Sequence, residues 1–149
     1  MSAIEGVIIK KLKFIPDERG RLLEILRLDD PFFEKFGQVY ITTAYPGVVK
    51  AWHYHKKQTD HFAVVAGMGK IALFDNRDKS PTFGAVDVFF AGDYHPILIR
   101  IPPLVVHGFQ ALGNTEVLLL NCPSEPYNHS APDEYRINHD DSELIPYRW

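Results

Sequence analysis

Short apolar segments alternate along the chain with turns rich in glycine, proline, asparagine and aspartate. Val, Ile, Phe and Tyr dominate these segments, which recur about every 8–12 residues, a spacing typical of antiparallel β-proteins. The strands predicted from this pattern are 6–15, 21–27, 38–44, 50–55, 61–66, 69–74, 84–91, 97–101, 107–112 and 116–121. We therefore expect an all-β sandwich or barrel.

Two segments depart from the strand pattern. Residues 30–37, DPFFEKFG, predict a helix of one or two turns, with Asp29 or Asp30 as N-cap, Pro31 at the first helical position and Gly37 as the stop. From about residue 123 to residue 149 the chain mixes prolines, acids and aromatics without a period. This segment predicts an extended tail that lies against the barrel wall.

Composition narrows the classes of function. A chain of 149 residues predicts a single domain, 1–149. A net charge of −3 without long basic runs argues against nucleic acid or a membrane surface as partner, and no apolar run approaches the roughly 20 residues of a membrane span. The single cysteine, Cys122, excludes an internal disulfide, and the start lacks the apolar core of a signal peptide. We expect a cytoplasmic protein.

Three histidines lie within nine residues in the segment KAWHYHKKQTDHFAVVAG, residues 50–67. If residues 50–55 form a strand, alternate side chains share a face, so His53 and His55 converge. A turn then brings Asp60 alongside, and His107 follows a later proline-rich turn. These groups suit a metal site, a proton-transfer site or a pocket of hydrogen-bonded histidines.

The spacing His53-x-His55, four residues, Asp60, with His107 much later, resembles the two motifs of the cupin superfamily. The resemblance implies a jelly-roll barrel, a double-stranded β-helix, in which these four residues are metal ligands. Three imidazoles and one carboxylate suit one divalent ion of zinc, iron, manganese or nickel. Asp60 stands where the superfamily has the longer glutamate, so either the backbone adjusts or Asp60 does not reach the metal. Leu104 replaces the glycine of the second motif.

Three further stretches resemble the dTDP-4-dehydrorhamnose 3,5-epimerase family: DERGRLLEIL, DNRDKSPTFGAV and IPPLVVHGFQAL. They come in the family's order, and the resemblance covers residues 14–112. It implies that His53 is the catalytic base and His107 the second active-site histidine. The substrate-binding positions expected on this basis are Arg19, Lys50, His55 and Arg77. The resemblance also implies a homodimer, with the N-terminal strands and Arg19 crossing to the partner.

The family's substrate is a nucleotide-linked 4-keto-6-deoxy sugar, and its chemistry is proton transfer. The ketone at C4 acidifies the C–H bonds at C3 and C5, so an imidazole can remove a proton if the enolate oxygen is stabilised. A tyrosine on the opposite ring face then returns a proton with inverted stereochemistry. In this chain the family's tyrosine falls on Leu119 or a neighbour, and its lysine near the ketone falls on Asp60. We expect Tyr127 in the tail, or Tyr135, to replace the tyrosine.

The histidine segment and residues 101–120 also resemble the zinc-binding cupin domain of bifunctional capsular-polysaccharide enzymes, which epimerise a UDP-4-keto-6-deoxy sugar. A metal near Asp60 could then replace the missing lysine. We expect an epimerase or isomerase of a dTDP- or UDP-4-keto-6-deoxyhexose in polysaccharide or deoxysugar biosynthesis. The alternatives are a metal-dependent cupin of small-molecule metabolism, such as a dioxygenase or isomerase, and a non-catalytic sugar-binding cupin without a cofactor.

Overall fold

The structure, a computed structural model, describes residues 2–141 and 143–149. Every predicted strand segment contains a strand. The first splits in two, and a further strand, β12, forms in the tail, where none was predicted. The twelve strands of the described residues have these bounds: β1 Ile8–Lys11, β2 Phe14–Asp17, β3 Gly20–Leu23, β4 Tyr40–Ala44, β5 Val49–Tyr54, β6 Asp60–Ala66, β7 Met68–Asp75, β8 Val86–Gly92, β9 Ile97–Ile101, β10 Val105–Leu112, β11 Val117–Asn121 and β12 Tyr135–Arg136.

The strands form two five-stranded sheets and a separate hairpin. One sheet has the order β1-β9-β6-β11-β4, the other has the order β12-β5-β10-β7-β8, and β2 pairs with β3. All of these pairs are antiparallel. Strands that neighbour each other in a sheet are often distant in sequence, as in a jelly roll. The prediction of an all-β cupin barrel is confirmed.

The core lies where apolar faces of the two sheets meet. Strand side chains alternate between this core and the outside, so each strand contributes every second residue. Fully buried members from both sheets include Ile71, Leu73, Ile99, Val105 and Leu119. Burying a side chain of this kind contributes about 1.5–3 kcal/mol to folding. The packed core leaves one end of the barrel to the polar residues of the candidate site.

The predicted helix at residues 30–37 is wrong. The segment forms turns and irregular backbone, with one turn closed by the bond from the Phe33 N–H to the Asp30 carbonyl, 2.9 Å. The Asp30 carboxylate does not cap a helix, because it accepts hydrogen bonds from the Arg27 N–H and the Lys10 ammonium. Phe32 packs against the buried pair Leu12 and Leu98. Tertiary packing therefore overrides the local helix signals.

The C-terminal segment lies against the barrel and adds a strand to it. Its strand β12 pairs with the edge of β5, with Tyr135 opposite Tyr54 and Arg136 opposite His53. Further along, Ile145 is fully buried against Trp52 in a second apolar cluster. No helix in the described part of the chain is long and apolar enough to cross a membrane.

Candidate functional site

The three histidines of the predicted site meet between neighbouring strands of one sheet. His107 on β10 lies directly opposite His53 on β5, and their ring centroids are 4.1 Å apart. His55, two residues after His53, projects from the same face, and its ring centroid is 5.8 Å from that of His107. The convergence predicted from strand alternation is present.

Asp60 reaches this cluster from the facing sheet. It begins β6 and is 1% exposed. Its Oδ2 lies 3.1 Å from Nε2 of His55 and 3.1 Å from Nε2 of His107. One candidate ligand atom from each of His53, His55, Asp60 and His107 lies within 4.8 Å of the others. The shorter aspartate side chain therefore reaches the position that the cupin resemblance assigns to a carboxylate ligand.

The two oxygens of Asp60 have different roles. Oδ1 accepts hydrogen bonds from the Gln58 side-chain amide at 2.7 Å and from the Asn121 side-chain amide at 2.8 Å. Oδ2 is buried and, among the described residues, has no partner with hydrogen-bond geometry. The two amides fix the carboxylate plane and leave Oδ2 directed at the imidazoles. Carboxylates that bind metals are commonly held in this way by outer hydrogen bonds.

Backbone carbonyls fix the tautomers of two histidines. Nδ1 of His55 lies within hydrogen-bond distance of the Asp133 carbonyl, and Nδ1 of His107 lies 2.9 Å from the Val105 carbonyl. A carbonyl only accepts, so each Nδ1 carries the hydrogen and each neutral ring presents a lone pair at Nε2. Two lone pairs then face the anionic oxygen of Asp60. A positive charge, either a proton or a metal ion, is required between them.

The pKa shifts of Asp60 and His55 indicate how charge is distributed in the cluster when no metal is bound. Burial alone would raise the pKa of Asp60, but its contacts with His107 and His55 outweigh burial and hold that pKa well below its usual range. Burial opposes charge on His55, yet Asp60 and the Asp133 carbonyl raise its pKa overall. Without a metal, His55 therefore holds the proton that neutralises Asp60.

His53 differs from the other two histidines. Burial lowers its pKa well below the usual range, and the neighbouring His107 adds to this effect. Among the described residues, the carbonyl contacts that fix the tautomers of His55 and His107 have no counterpart at His53. His53 is therefore a neutral imidazole with a free lone pair, which is the state that a general base needs.

Two cavities adjoin His53. The first, of about 630 Å³, lies between the barrel mouth and the tail, whose contribution to the wall is Glu125, Pro126, Tyr127, Asn128, His129, Ala131, Asp133 and Glu134. The second, of about 490 Å³, lies along β5 and includes Lys50, Arg136, Phe62 and Phe109. Tyr40 and Glu134 also line both cavities. The first cavity is thus lined mainly by polar residues, whereas the second combines two cationic side chains with aromatic rings.

The other predicted site residues lie at varying distances from this cluster. Lys50 lines the second cavity and donates to the Thr42 hydroxyl at 3.1 Å. Tyr127 lies in the tail wall of the first cavity, 44% exposed. Arg77 is ion-paired with Asp75 and lines neither cavity among the described residues. Their roles toward substrate stay predictions.

Arg19 lies in the turn between β2 and β3, and its side chain is highly exposed. Its guanidinium bonds the Asp17 carboxylate at 2.6 Å. A second chain would have to bring this hairpin to a neighbouring site for Arg19 to contact substrate. That role stays a prediction together with the homodimer.

Sequence reasoning missed the polar residues that support the site: Tyr40, Gln58, Asn121 and Asp133. Asp133 in the tail accepts hydrogen bonds from three successive backbone amides, those of residues 56–58. Asn121 ends an apolar strand, where a single polar residue is a recognisable although weak signal. Tyr40 begins β4, where a tyrosine is an ordinary strand residue and gives no signal, and Gln58 and Asp133 lie in a turn and in the tail, which carry no periodic pattern.

Leu104 occupies the position that corresponds to a cupin glycine. Its φ is +67°, in the left-handed region that glycine adopts most easily. Its backbone N–H donates to the His55 carbonyl at 2.7 Å. The unusual conformation of Leu104 therefore helps to hold the end of the histidine strand in place.

Comparisons with known proteins agree with this architecture. The family model described as "Polysaccharide biosynthesis C-terminal domain" matches residues 15–135. The spore coat polysaccharide biosynthesis protein SpsL of Bacillus subtilis (strain 168) is 41% identical, over 98% of this chain and 96% of its own. The probable low-salt glycan biosynthesis epimerase Agl13 of Haloferax volcanii is 40% identical, over 94% of this chain and 91% of its own.

A solved structure shows the same fold at similar identity. The crystal structure of a dTDP sugar isomerase from Desulfovibrio desulfuricans G20 superposes with a TM-score of 0.91 and 39% sequence identity. The match covers 98% of this chain and 92% of the other. The match therefore extends over the barrel and the tail alike.

Proposed function

Because the chain belongs to the polysaccharide biosynthesis C-terminal domain family, we propose that it is an epimerase that acts on a nucleotide-linked 4-keto-6-deoxyhexose. The similar proteins described as an epimerase and a dTDP sugar isomerase support this reaction class. The single observation that carries the proposal is the position of His53, a partly buried neutral imidazole where two cavities meet.

His53 acts as the general base. Its free lone pair accepts the proton from the carbon next to the ketone, and the electron pair of that C–H bond moves into the enolate. The rings of His107 and His55 lie close to the base, with centroids 4.1 Å and 5.4 Å from that of His53. The low pKa of His53 keeps it unprotonated at neutral pH, so no energy is needed to deprotonate the base before each turnover.

The second cavity is suited to the nucleotide part of the substrate. Lys50 and Arg136 supply positive charge for a diphosphate, and Phe62 and Phe109 supply aromatic surface. Arg136 lies opposite His53 in the β12–β5 register, so a diphosphate held there would place the attached sugar beside the base. The cavity against the tail would then receive the sugar. Which base and which sugar are accepted depends on these walls.

The donor set fits a divalent metal. Asp60 Oδ2 and His107 Nε2 are buried without hydrogen-bond partners among the described residues, and the lone pairs of His55 and His107 face the carboxylate. We propose that these three residues hold the metal, with His53 left free as base. When bound, the ion supplies positive charge that stabilises the enolate oxygen. His53 as a fourth ligand, as the cupin resemblance implies, is the competing arrangement.

Deuterium exchange tests the reaction. The purified, metal-loaded protein is incubated with dTDP- and UDP-4-keto-6-deoxyglucose in heavy water, and the sugars are analysed by mass spectrometry. We expect deuterium at C3 or C5, slowed about 10²–10⁴-fold in His53→Ala. If the wild-type protein exchanges neither sugar faster than His53→Ala, the proposal is wrong.

Two other results would favour the alternatives. Nucleotide-sugar binding without exchange would support a non-catalytic sugar-binding protein. Oxygen consumption with an iron-loaded protein would support a dioxygenase. The homodimer and the cytoplasmic location remain predictions, and sedimentation of the purified protein tests the first of them.

A further inference from the structure

Tyr40 faces His53 across the substrate space. Tyr40 begins β4 in one sheet, whereas His53 lies on β5 in the other. Both residues line both cavities that meet at the barrel mouth. A sugar ring that lies between the two sheets therefore has His53 on one face and Tyr40 on the other.

The hydroxyl of Tyr40 is held in a defined state by its neighbours. The backbone N–H of His61 donates to Oδ1 of Asn121 at 2.9 Å, which turns the Asn121 NH₂ group toward the site. This NH₂ donates to the Tyr40 hydroxyl oxygen at 2.9 Å and to Oδ1 of Asp60 at 2.8 Å. The Tyr40 oxygen is thus an acceptor from Asn121, and its own hydrogen is free to point into the cavity.

We propose that Tyr40 is the proton donor on the ring face opposite His53. This inference rests on the proposed epimerase function and names the acid of that reaction. His53 takes the proton from the carbon next to the ketone, and the electron pair forms the enolate. Tyr40 then gives its hydroxyl proton to the other face of the same carbon as the ketone re-forms. The Tyr40 phenolate regains a proton from water in the open cavity, and His53 releases its proton to water.

The tyrosines expected from the sequence are placed less favourably. Tyr127 belongs to the tail wall of the first cavity only, and its ring contacts His129. Tyr135 stacks on Tyr54, which projects from β5 on the face opposite to His53. Tyr40 alone among these three adjoins both cavities. Burial, with the charge of Asp60, also raises the pKa of Tyr40 to about 12, so the hydroxyl keeps its proton until it is transferred.

The test separates proton removal from inversion. Wild type, Tyr40→Phe, Tyr127→Phe and Tyr45→Phe are incubated with dTDP- and UDP-4-keto-6-deoxyglucose in heavy water. Isotope uptake is followed by mass spectrometry, and the configuration of the product is followed by NMR. Tyr45 follows the same strand and is 73% exposed, so Tyr45→Phe controls for the loss of a hydroxyl on this segment. Far-ultraviolet circular dichroism checks that each variant is folded.

We expect Tyr40→Phe to retain exchange through His53 while forming inverted product about 10²–10⁴-fold more slowly. Tyr45→Phe should match wild type in both readouts. Inversion at the wild-type rate in Tyr40→Phe would overturn the assignment. Loss of inversion in Tyr127→Phe but not in Tyr40→Phe would overturn it as well. Equal loss of exchange and inversion in Tyr40→Phe would overturn it too, because an acid on the far face is not needed for proton removal. Absence of exchange in wild type would instead refute the epimerase function itself.

Discussion

The backbone carbonyl of Asp133 accepts a hydrogen bond from Nδ1 of His55, although 78 positions separate the two residues in sequence. The Asp133 carboxylate also accepts the backbone amides of residues 56–58, the turn that follows His55, at 2.9–3.1 Å. Burial alone would raise the pKa of Asp133, but these amides outweigh it and lower the pKa. The tail therefore holds a histidine of the site both by its backbone and by its side chain.

Replacing Asp133 by alanine should weaken the site without removing any predicted ligand. Three hydrogen bonds to a charged group are lost, each of which contributes about 1.5–3 kcal/mol to the free energy of unfolding. Because the turn after His55 is then unsupported, we expect zinc affinity to fall about 10–100-fold, as for other residues that orient metal ligands. Calorimetric titration with zinc measures this. Asp78→Ala, at an exposed turn, is the matched control, and equal affinities in the two variants would contradict the assigned role.

The proposed metal site predicts stoichiometric metal that depends on His55 and Asp60. Elemental analysis of the purified protein should find about one divalent ion per chain, absent in His55→Ala and Asp60→Asn. His95, which bonds the Phe90 carbonyl in a distant turn, provides the control His95→Ala, which should keep its metal. If wild type is purified in the presence of each candidate divalent ion and contains no metal, the proposed site is refuted.

Metal binding should weaken in acid. The pKa of His55 is raised in the metal-free protein, so a metal ion must displace a proton from it. As pH falls through the raised pKa of His55 and below, protons compete more strongly, and apparent zinc affinity should drop about tenfold per pH unit for one displaced proton. Competition with a zinc-binding dye between pH 5 and 8 measures the slope. An affinity independent of pH would show that no proton is displaced.

A glycine on β10 sets the distance to the strand that carries His53. A Cβ added at Gly108 would lie 2.3 Å from Cβ of Ala51 and 2.9 Å from the Lys50 carbonyl oxygen. Gly108→Ala should therefore destabilise the protein by about 3 kcal/mol in urea unfolding, the upper end of overpacking costs. Adding Ala51→Gly should restore part of the loss, because the contact with the carbonyl remains.

Gly69 offers a comparison on the neighbouring strand β7. A Cβ there would meet only the Val64 side chain closely, at 3.2 Å, so Gly69→Ala should cost less than Gly108→Ala. The opposite order of stabilities would show that β5 and β10 separate more readily than the packing suggests.

The buried carboxylate of Asp75 should contribute to acid sensitivity. Burial alone would raise its pKa, but hydrogen bonds from Arg77, Ser80 and Thr82 outweigh burial and hold it well below the usual range. The folded pKa lies below the unfolded value of about 3.9, so the stabilisation is complete above about pH 4 and is lost as pH falls further. We expect Asp75→Asn to be less stable at pH 7 by about 1.5–3 kcal/mol.

The difference in stability between wild type and Asp75→Asn should shrink as pH falls below about 4, because the unfolded wild-type chain then gains a proton at Asp75 that the folded chain resists. Thermal unfolding at a series of pH values measures the difference. A difference that stays constant down to pH 2 would mean that folding does not lower the pKa of Asp75.

Much of the candidate site could be predicted because its four clustered residues lie in recognisable local patterns. Strand alternation places His53 and His55 on one face, and motif resemblance finds Asp60 and His107. The supporting residues could not be found in this way. The pairs Asn121–Asp60 and Asn121–Tyr40 join positions 61 and 81 residues apart, and their contact depends on which strands become neighbours.

The fold was likewise predictable where the pattern is periodic. The apolar alternation that marks β5 to β11 survives in the structure, whereas the segment after Asp30 has strong helix-start residues and no helix. There the partly buried ring of Phe32 packs against distant parts of the chain, and this packing determines the backbone. Local preferences of about 1 kcal/mol per residue are smaller than the energy of that burial.

The wall of the cavity proposed to receive the sugar has a consequence for how specificity can change. Most of that wall belongs to residues 125–134, which lie outside the strands of the barrel and are attached to it through Asp133 and β12. Substitutions at exposed wall positions such as Tyr127 and Asn128 alter the shape offered to a sugar while the packed core stays untouched. Substitutions in the tail should therefore change the substrate specificity with the smallest risk to folding.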